Sequence, residues 1–261
     1  MFDFVNFAAA KLQLFLLILL RASGLFLIAP ILGHQSFPTL AKVGLAIMLS
    51  LILVSTLDKA AVPPVESLGG LVGLAVREIF VGLAIGFTFA LLLMAVQGAG
   101  DIVSYQMGFS MATLADPDMG EVSILGQFWF LCGTVIFLGI NGHHVIISAF
   151  NDSYALIPPG QVVLNGAFGE MMMRYSAYFF VIAIKLAAPV VITLMLIDVA
   201  LGVVSRMMPT MNVFILGFGI KVGVGILIMA LSLPVFSYVL QKATTYINTE
   251  LYSMLAVLGK A

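Results

Sequence analysis

The chain is 261 residues long, 62% hydrophobic and 9% charged, with a formal net charge of −1. Soluble domains are about 45–50% apolar even with glycine counted and about 25% charged, so water alone would not keep such a surface dissolved. A near-neutral chain also lacks the broad basic surface that grips nucleic acid, and the composition indicates an integral membrane protein with room for about five to seven apolar helices of about 20 residues each.

At the N-terminus, Asp3 and Lys11 precede the apolar Leu12 to Leu20, but Arg21 follows and no small-residue cleavage site is evident, so this reads as a retained first segment. Apolar stretches then run from Leu12 to Leu32, Leu40 to Leu57, Leu68 to Val96, Ile124 to Ile140, Tyr175 to Val204 and Val213 to Leu240. Each but the fourth is long enough to span a bilayer. The connectors between them are Gly33 to Pro38, Asp58 to Glu66, Gly98 to Glu121, Asn151 to Glu170 and Ser205 to Asn212, rich in the residues that stop helices. Nothing alternates with the regularity of a barrel, and backbone exposed to lipid must bond internally, so the expected fold is all-α in a single domain. The one cysteine, Cys132, lies inside the fourth apolar run and reads as a small buried hydrophobe.

Charge is sparse and unevenly placed. From Glu78 to Met173 there is no Lys or Arg, which under the positive-inside rule places the loops of that stretch outside the cytoplasm. Arg21, Glu78, Asp198 and Lys221 each interrupt an apolar run, at a cost of about 2.5–3.5 kcal/mol apiece near a bilayer centre on insertion scales, and so need partners or water. They read either as an ion path or as structural pairs between helices. If the last two apolar stretches form a hairpin around Pro209, Asp198 lies eleven residues before it and Lys221 twelve after it, so the two meet at similar depth. Lys185 has only Pro234 near its mirror position and must look to another helix or subunit. Glycine recurs four apart at Gly69 and Gly73, Gly82 and Gly86, and Gly219 and Gly223, a spacing that lets helices approach closely, within the chain or between subunits.

The connector that begins near Gly100 runs through Gln106-Met107-Gly108-Phe109-Ser110-Met111 to Asp116-Pro117-Asp118 and Glu121. Helix breakers, methionines and aromatics in one segment suit either an extramembrane loop or irregular backbone lining a cavity, where flexible thioethers can conform to a variable neighbour. His143 and His144 are adjacent and His34 is distant, which makes no metal site. HExxH, GxSxG, a phosphate loop and a CxxC pair are all absent from the sequence, so no catalytic or cofactor role is expected.

Taken in order, Arg21-Ala-Ser-Gly24, Pro30, Gly33, Pro38 and Lys42, then Glu78, Gly82 and Gly86-Phe87, then Gly100, Gln106-Met-Gly-Phe109 and Asp116-Pro117 form a series. It continues through Asn141-Gly-His143, Ile157-Pro158, Ala188-Pro189, Asp198, Arg206, Pro209, Asn212-Val-Phe214, Gly217-Phe218 and Lys221. Over almost the whole chain this series resembles the FliR family of flagellar biosynthetic proteins and its SctT counterparts in virulence-type type III secretion. Thr210 stands where the family pattern has glutamine, and Gly219 where proline is frequent, so no special role is assigned to that turn. The resemblance implies a non-enzymatic core component of a protein export gate in the bacterial inner membrane and flagellar basal body, much of it above the bilayer on the periplasmic side. It further implies a ring built with FliP and FliQ, with FlhB and FlhA nearby, through which unfolded flagellar subunits pass. By the same resemblance residues 1–174 are FliP-like, 175–240 form a FliQ-like hairpin, 241–261 form a tail, and the loop at about 106–121 is a plug. The rival reading is a proton-coupled secondary transporter using Glu78, Asp198 and Lys185, although no internal repeat supports it.

Overall fold

A computed structural model of the chain describes residues 2–33, 37–57, 67–109, 123–163, 166–208 and 212–259. These residues form seven helices: α1 (Phe2–Ile28), α2 (Thr39–Thr56), α3 (Leu68–Met107), α4 (Ile124–Gly139), α5 (Gly142–Leu156), α6 (Gly166–Met207) and α7 (Val213–Leu258). Five of them, α1 from Ala10, α2, α3, α6 and α7, are long and apolar enough to cross a membrane. The pair α4 and α5, separated by a short break, makes a sixth if it counts as one span. Asn141 sits at that break in the left-handed conformation with φ 59°, a geometry that asparagine tolerates better than most residues.

The helices outrun the apolar stretches. α3 continues past Val96 to Met107, so Gly98 to Met107, expected as connector, is helix. α5 and the start of α6 likewise occupy much of the expected connector Asn151 to Glu170, and α7 carries the expected tail to Leu258. Polar residues mark these extensions, which is why hydropathy stopped short of them. Glycine did not end α3 because it is needed there: a Cβ at Gly100 would lie 2.7 Å from the Gly126 Cα of α4.

The chain folds as two compact units, the first formed by Met1–Leu91, Asn141–Tyr175 and Thr244–Ala261, the second by Leu92–Ile140 and Ser176–Ala243. In the first unit α1 and α3 pack backbone to backbone. A Cβ at Gly82 would lie 2.8 Å from the Leu25 nitrogen and closer still to the Arg21 carbonyl, and one at Gly86 would lie 2.9 Å from the Leu25 carbonyl. Gly24 faces the Ile79 carbonyl in the same way. The Gly82/Gly86 pair is therefore an internal packing face, whereas nothing lies within 4 Å of such a Cβ at Gly69, Gly73, Gly219 or Gly223. The C-terminal end of α7 closes on the same unit, where Val163 N–H donates to the Leu258 carbonyl at 2.9 Å and Tyr252 donates to Asp152 at 2.5 Å.

In the second unit α4 starts at Ser123, whose hydroxyl accepts the Gly126 N–H at 2.9 Å and caps the helix. Its buried face, Gly126, Trp129, Gly133 and Phe137, repeats every three to four residues, and a Cβ at Gly133 would lie 2.7 Å from Val96 of α3. Trp129 meets Phe236 of α7 edge to face at 5.2 Å. The α6–α7 hairpin is in the register its turn requires, with Leu201 against Gly217 and Asp198 against Lys221.

Candidate functional site

The first cluster is a buried polar knot in the first unit. Arg21 and Glu78 are both fully buried, and the Arg21 Nε donates to Glu78 Oε2 at 2.6 Å. The other two guanidinium nitrogens donate to the Ser153 hydroxyl at 2.9 Å and the Ile157 carbonyl at 3.1 Å. Glu78 Oε1 accepts the Gly160 N–H at 2.7 Å, and Gly160 adopts φ 81°, a conformation glycine reaches without strain. The guanidinium also stacks over Tyr154, its Cζ 4.1 Å from the ring centroid. Two opposite charges, each costly alone, are thus paired and bonded on every side by α1, α3, α5 and the Pro158-Pro159 connector. Such a knot fixes register among three helices, and with its hydrogen bonds already made it is poorly suited to passing protons. The geometry of Arg21 and Glu78 is that of a pair bonded between helices.

Arg21 and Glu78 were each legible as a charge needing a partner, but their mutual pairing was not. One signal points to it: Arg21 precedes Gly24 by three residues and Glu78 precedes Gly82 by four, so the charges flank the same close helix contact.

The second cluster, within the second unit, is the base of the Gly100 to Glu121 segment. Gln106 and Met107 form the last turn of α3, not a loop, and the helix ends at Gly108 with φ 91°. Gly108 N–H donates to the Tyr105 carbonyl at 3.0 Å and Phe109 N–H to the Ser104 carbonyl at 3.1 Å, the paired bonds of a Schellman cap. Three contacts tie this cap to the hairpin. Gln106 Nε2 donates to Asp198 Oδ2 at 3.0 Å, buried Met107 packs on Gly225, and the Phe109 ring meets Phe218 edge-on with centroids 6.0 Å apart. Lys221 pairs with the second oxygen of Asp198, the pairing expected from the hairpin's symmetry. One carboxylate therefore joins both limbs of the hairpin to the end of α3. Sequence reasoning treated the charges and the loop as separate features and missed this link.

Ser110, Met111, Asp116 and Pro117 lie outside the described residues. Lys185 is exposed on α6 and has no ion pair among the described residues. His143 and His144 meet edge-on at 4.3 Å, but among the described residues no three His, Cys, Asp or Glu side chains are placed to hold a metal ion.

Comparison with known proteins gives this arrangement its context. Residues 12–247 match the family described as bacterial export proteins, family 1. The chain is similar to the flagellar biosynthetic protein FliR of Bacillus subtilis, 33% identical over 94% of this chain and 95% of that one. It is also similar to FliR of Escherichia coli, 32% identical over 94% and 92% of the two chains, and to that of Caulobacter vibrioides, 28% identical over 88% and 92%. With a family match over nearly the whole chain and relatives matched nearly end to end, this all-helical chain belongs to the FliR family of bacterial flagellar export proteins.

Proposed function

We propose that the chain is a structural core subunit of the flagellar type III export gate, which forms with FliP- and FliQ-like chains the channel for unfolded flagellar subunits. The observation that carries this reading is the anchored end of α3. In the proposed gate residues 106–121 act as a plug, and a plug needs a fixed base; the Schellman cap at Gly108 and its ties to Asp198, Gly225 and Phe218 supply one. Residues 1–174 would correspond to a FliP-like part and 175–240 to a FliQ-like hairpin, with FlhB and FlhA as further neighbours in the inner membrane. Helices that are apolar on several faces suit this role, because subunit contacts would bury part of what hydropathy reads as lipid-facing surface.

The transporter alternative gains little from the structure's polar groups. Glu78 is committed to Arg21 and Gly160, and Asp198 to Lys221 and Gln106. An apolar groove of about 340 Å³ between α4 and α7 contains the Ser232 hydroxyl, but that hydroxyl already donates to the Met229 carbonyl, leaving it poorly placed to orient a solute. Purification from mild detergent tests the proposal. Recovery with FliP-like and FliQ-like chains supports a gate subunit; a stable lone monomer that binds a small solute overturns it. Deleting Ser110 to Leu114 should make the closed complex leak small ions, and unchanged permeability counts against the plug.

A further inference from the structure

On α6 the residues Val181, Ile184, Lys185, Ile192, Leu196 and Val199 fall within a sector about 120° wide at the helical 100° per residue, and all are exposed. The opposite sector, Ile182, Leu186, Val190 and Leu194, is buried. An apolar helix that buries one face and exposes another apolar face is partnered by something, lipid or protein. Lys185 discriminates between the two.

Lys185 stands nineteen residues from Gly166 and twenty-two from Met207, about 28 and about 33 Å of helix from either end. The nearest charges along α6 are Arg174, about 16 Å away, and Asp198, about 20 Å away. A lysine stem reaches only about 6 Å, so Lys185 cannot snorkel to the level of those charges, and a headgroup there cannot reach it. A second polar group lies at the same place. Pro189 has no N–H, so the normal helical donor to the Lys185 carbonyl is missing, on a helix that is otherwise apolar for several turns. A cation and an under-bonded carbonyl at one level of an apolar stripe call for a protein surface that brings a carboxylate and a donor. Hydrocarbon offers neither.

We propose that this face of α6 docks an apolar helix of another subunit, one that places a carboxylate opposite Lys185. The proposal rests on the chain's being a subunit of a membrane assembly and goes further by naming the face and the chemistry of its occupant. The experiment uses the full tagged chain expressed with its neighbouring export genes, and recovers the complex in mild detergent. Lys185→Arg should recover partner chains to within about twofold of the parent, whereas Lys185→Glu should lower recovery at least about tenfold at equal chain abundance. Leu196→Trp, at an exposed site on the same stripe, should lower recovery similarly; it reads the face even if Lys185→Glu fails to accumulate. Restored motility in the Lys185→Glu background should come from changes at an Asp or Glu in an apolar helix of a partner.

Parent-like recovery for Lys185→Glu and Leu196→Trp overturns the proposal and assigns the face to lipid. Suppressors at Asp116, Asp118 or Glu121 of this chain also overturn it, since the pairing would then be internal. If the parent chain itself recovers no partner, the gate reading fails instead.

Discussion

Removing the Glu78 carboxylate tests whether the buried knot is structural. In Glu78→Ala the Arg21 guanidinium keeps its bonds to Ser153 and Ile157 but loses the 2.6 Å ion pair, and Gly160 loses the acceptor for its N–H. Breaking one side of a buried pair costs about 3–5 kcal/mol, because the other charge stays buried. The buried Gly160 N–H, left without its acceptor, adds about 1–3 kcal/mol, for an expected total of about 4–8 kcal/mol. Glu78→Gln keeps an acceptor for Gly160 and loses the charge, so it should fall toward the lower end of that range. Replacing both partners, Arg21→Met with Glu78→Met, removes the uncompensated charge and should recover most of the loss. Reversible unfolding of the purified chain in mixed micelles, titrated with a denaturing detergent, gives the cycle directly. A double variant no more stable than Glu78→Ala, or a Glu78→Ala loss under about 1 kcal/mol, would refute the account of the knot as a mutually neutralising pair.

The sequence made the helical class and the outline of the spans readable because apolar length is a strong signal and every connector carries glycine, proline or charge. It misplaced helix ends wherever tertiary contact overrode local chemistry. Gly98 and Gly100 looked like breakers, yet α3 runs on through them because α4 approaches too closely at Gly126 for any side chain. Hydropathy ended the last helix at Leu240, but Tyr252 bonding to Asp152 and Val163 bonding to Leu258 hold α7 in place for eighteen further residues, to Leu258. The Asp198–Lys221 pair was readable because the turn at Pro209 sets a mirror line, a constraint of geometry contained in the spacing itself. Arg21 and Glu78 are 57 positions apart with no single turn between them, so only their matched spacing from Gly24 and Gly82 hinted at the pairing. The tie from Gln106 to Asp198 was hidden for the same reason, being a contact across 92 positions. Pairs linked by one turn can be computed from sequence; pairs brought together by packing cannot.

The remaining expectations follow from particular contacts. Gly82→Ala should destabilise the chain by about 1–3 kcal/mol, since its Cβ meets α1 backbone that cannot rotate away. Gly69→Ala, with nothing within 4 Å, should be neutral or gain up to about 1 kcal/mol from helix propensity in the same unfolding titration. Gly108→Ala should cost about 1–2 kcal/mol, because φ 91° suits glycine alone, and limited proteolysis after Phe109 should become faster. Asp198→Ala should cost only about 1 kcal/mol of stability, its carboxylate being partly exposed. Its consequence for the α3 end should be larger than its consequence for the fold, because the one carboxylate holds both Gln106 and Lys221. A cysteine at the exposed position 105, which leaves Gln106 and Phe109 intact, should therefore react faster with a thiol probe in Asp198→Ala than in the parent, while Asp198→Glu, which keeps an acceptor, should sit between them. Equal labelling in all three would mean that Met107 on Gly225 and Phe109 on Phe218 suffice to fix the cap, and that the charged pair serves the hairpin alone.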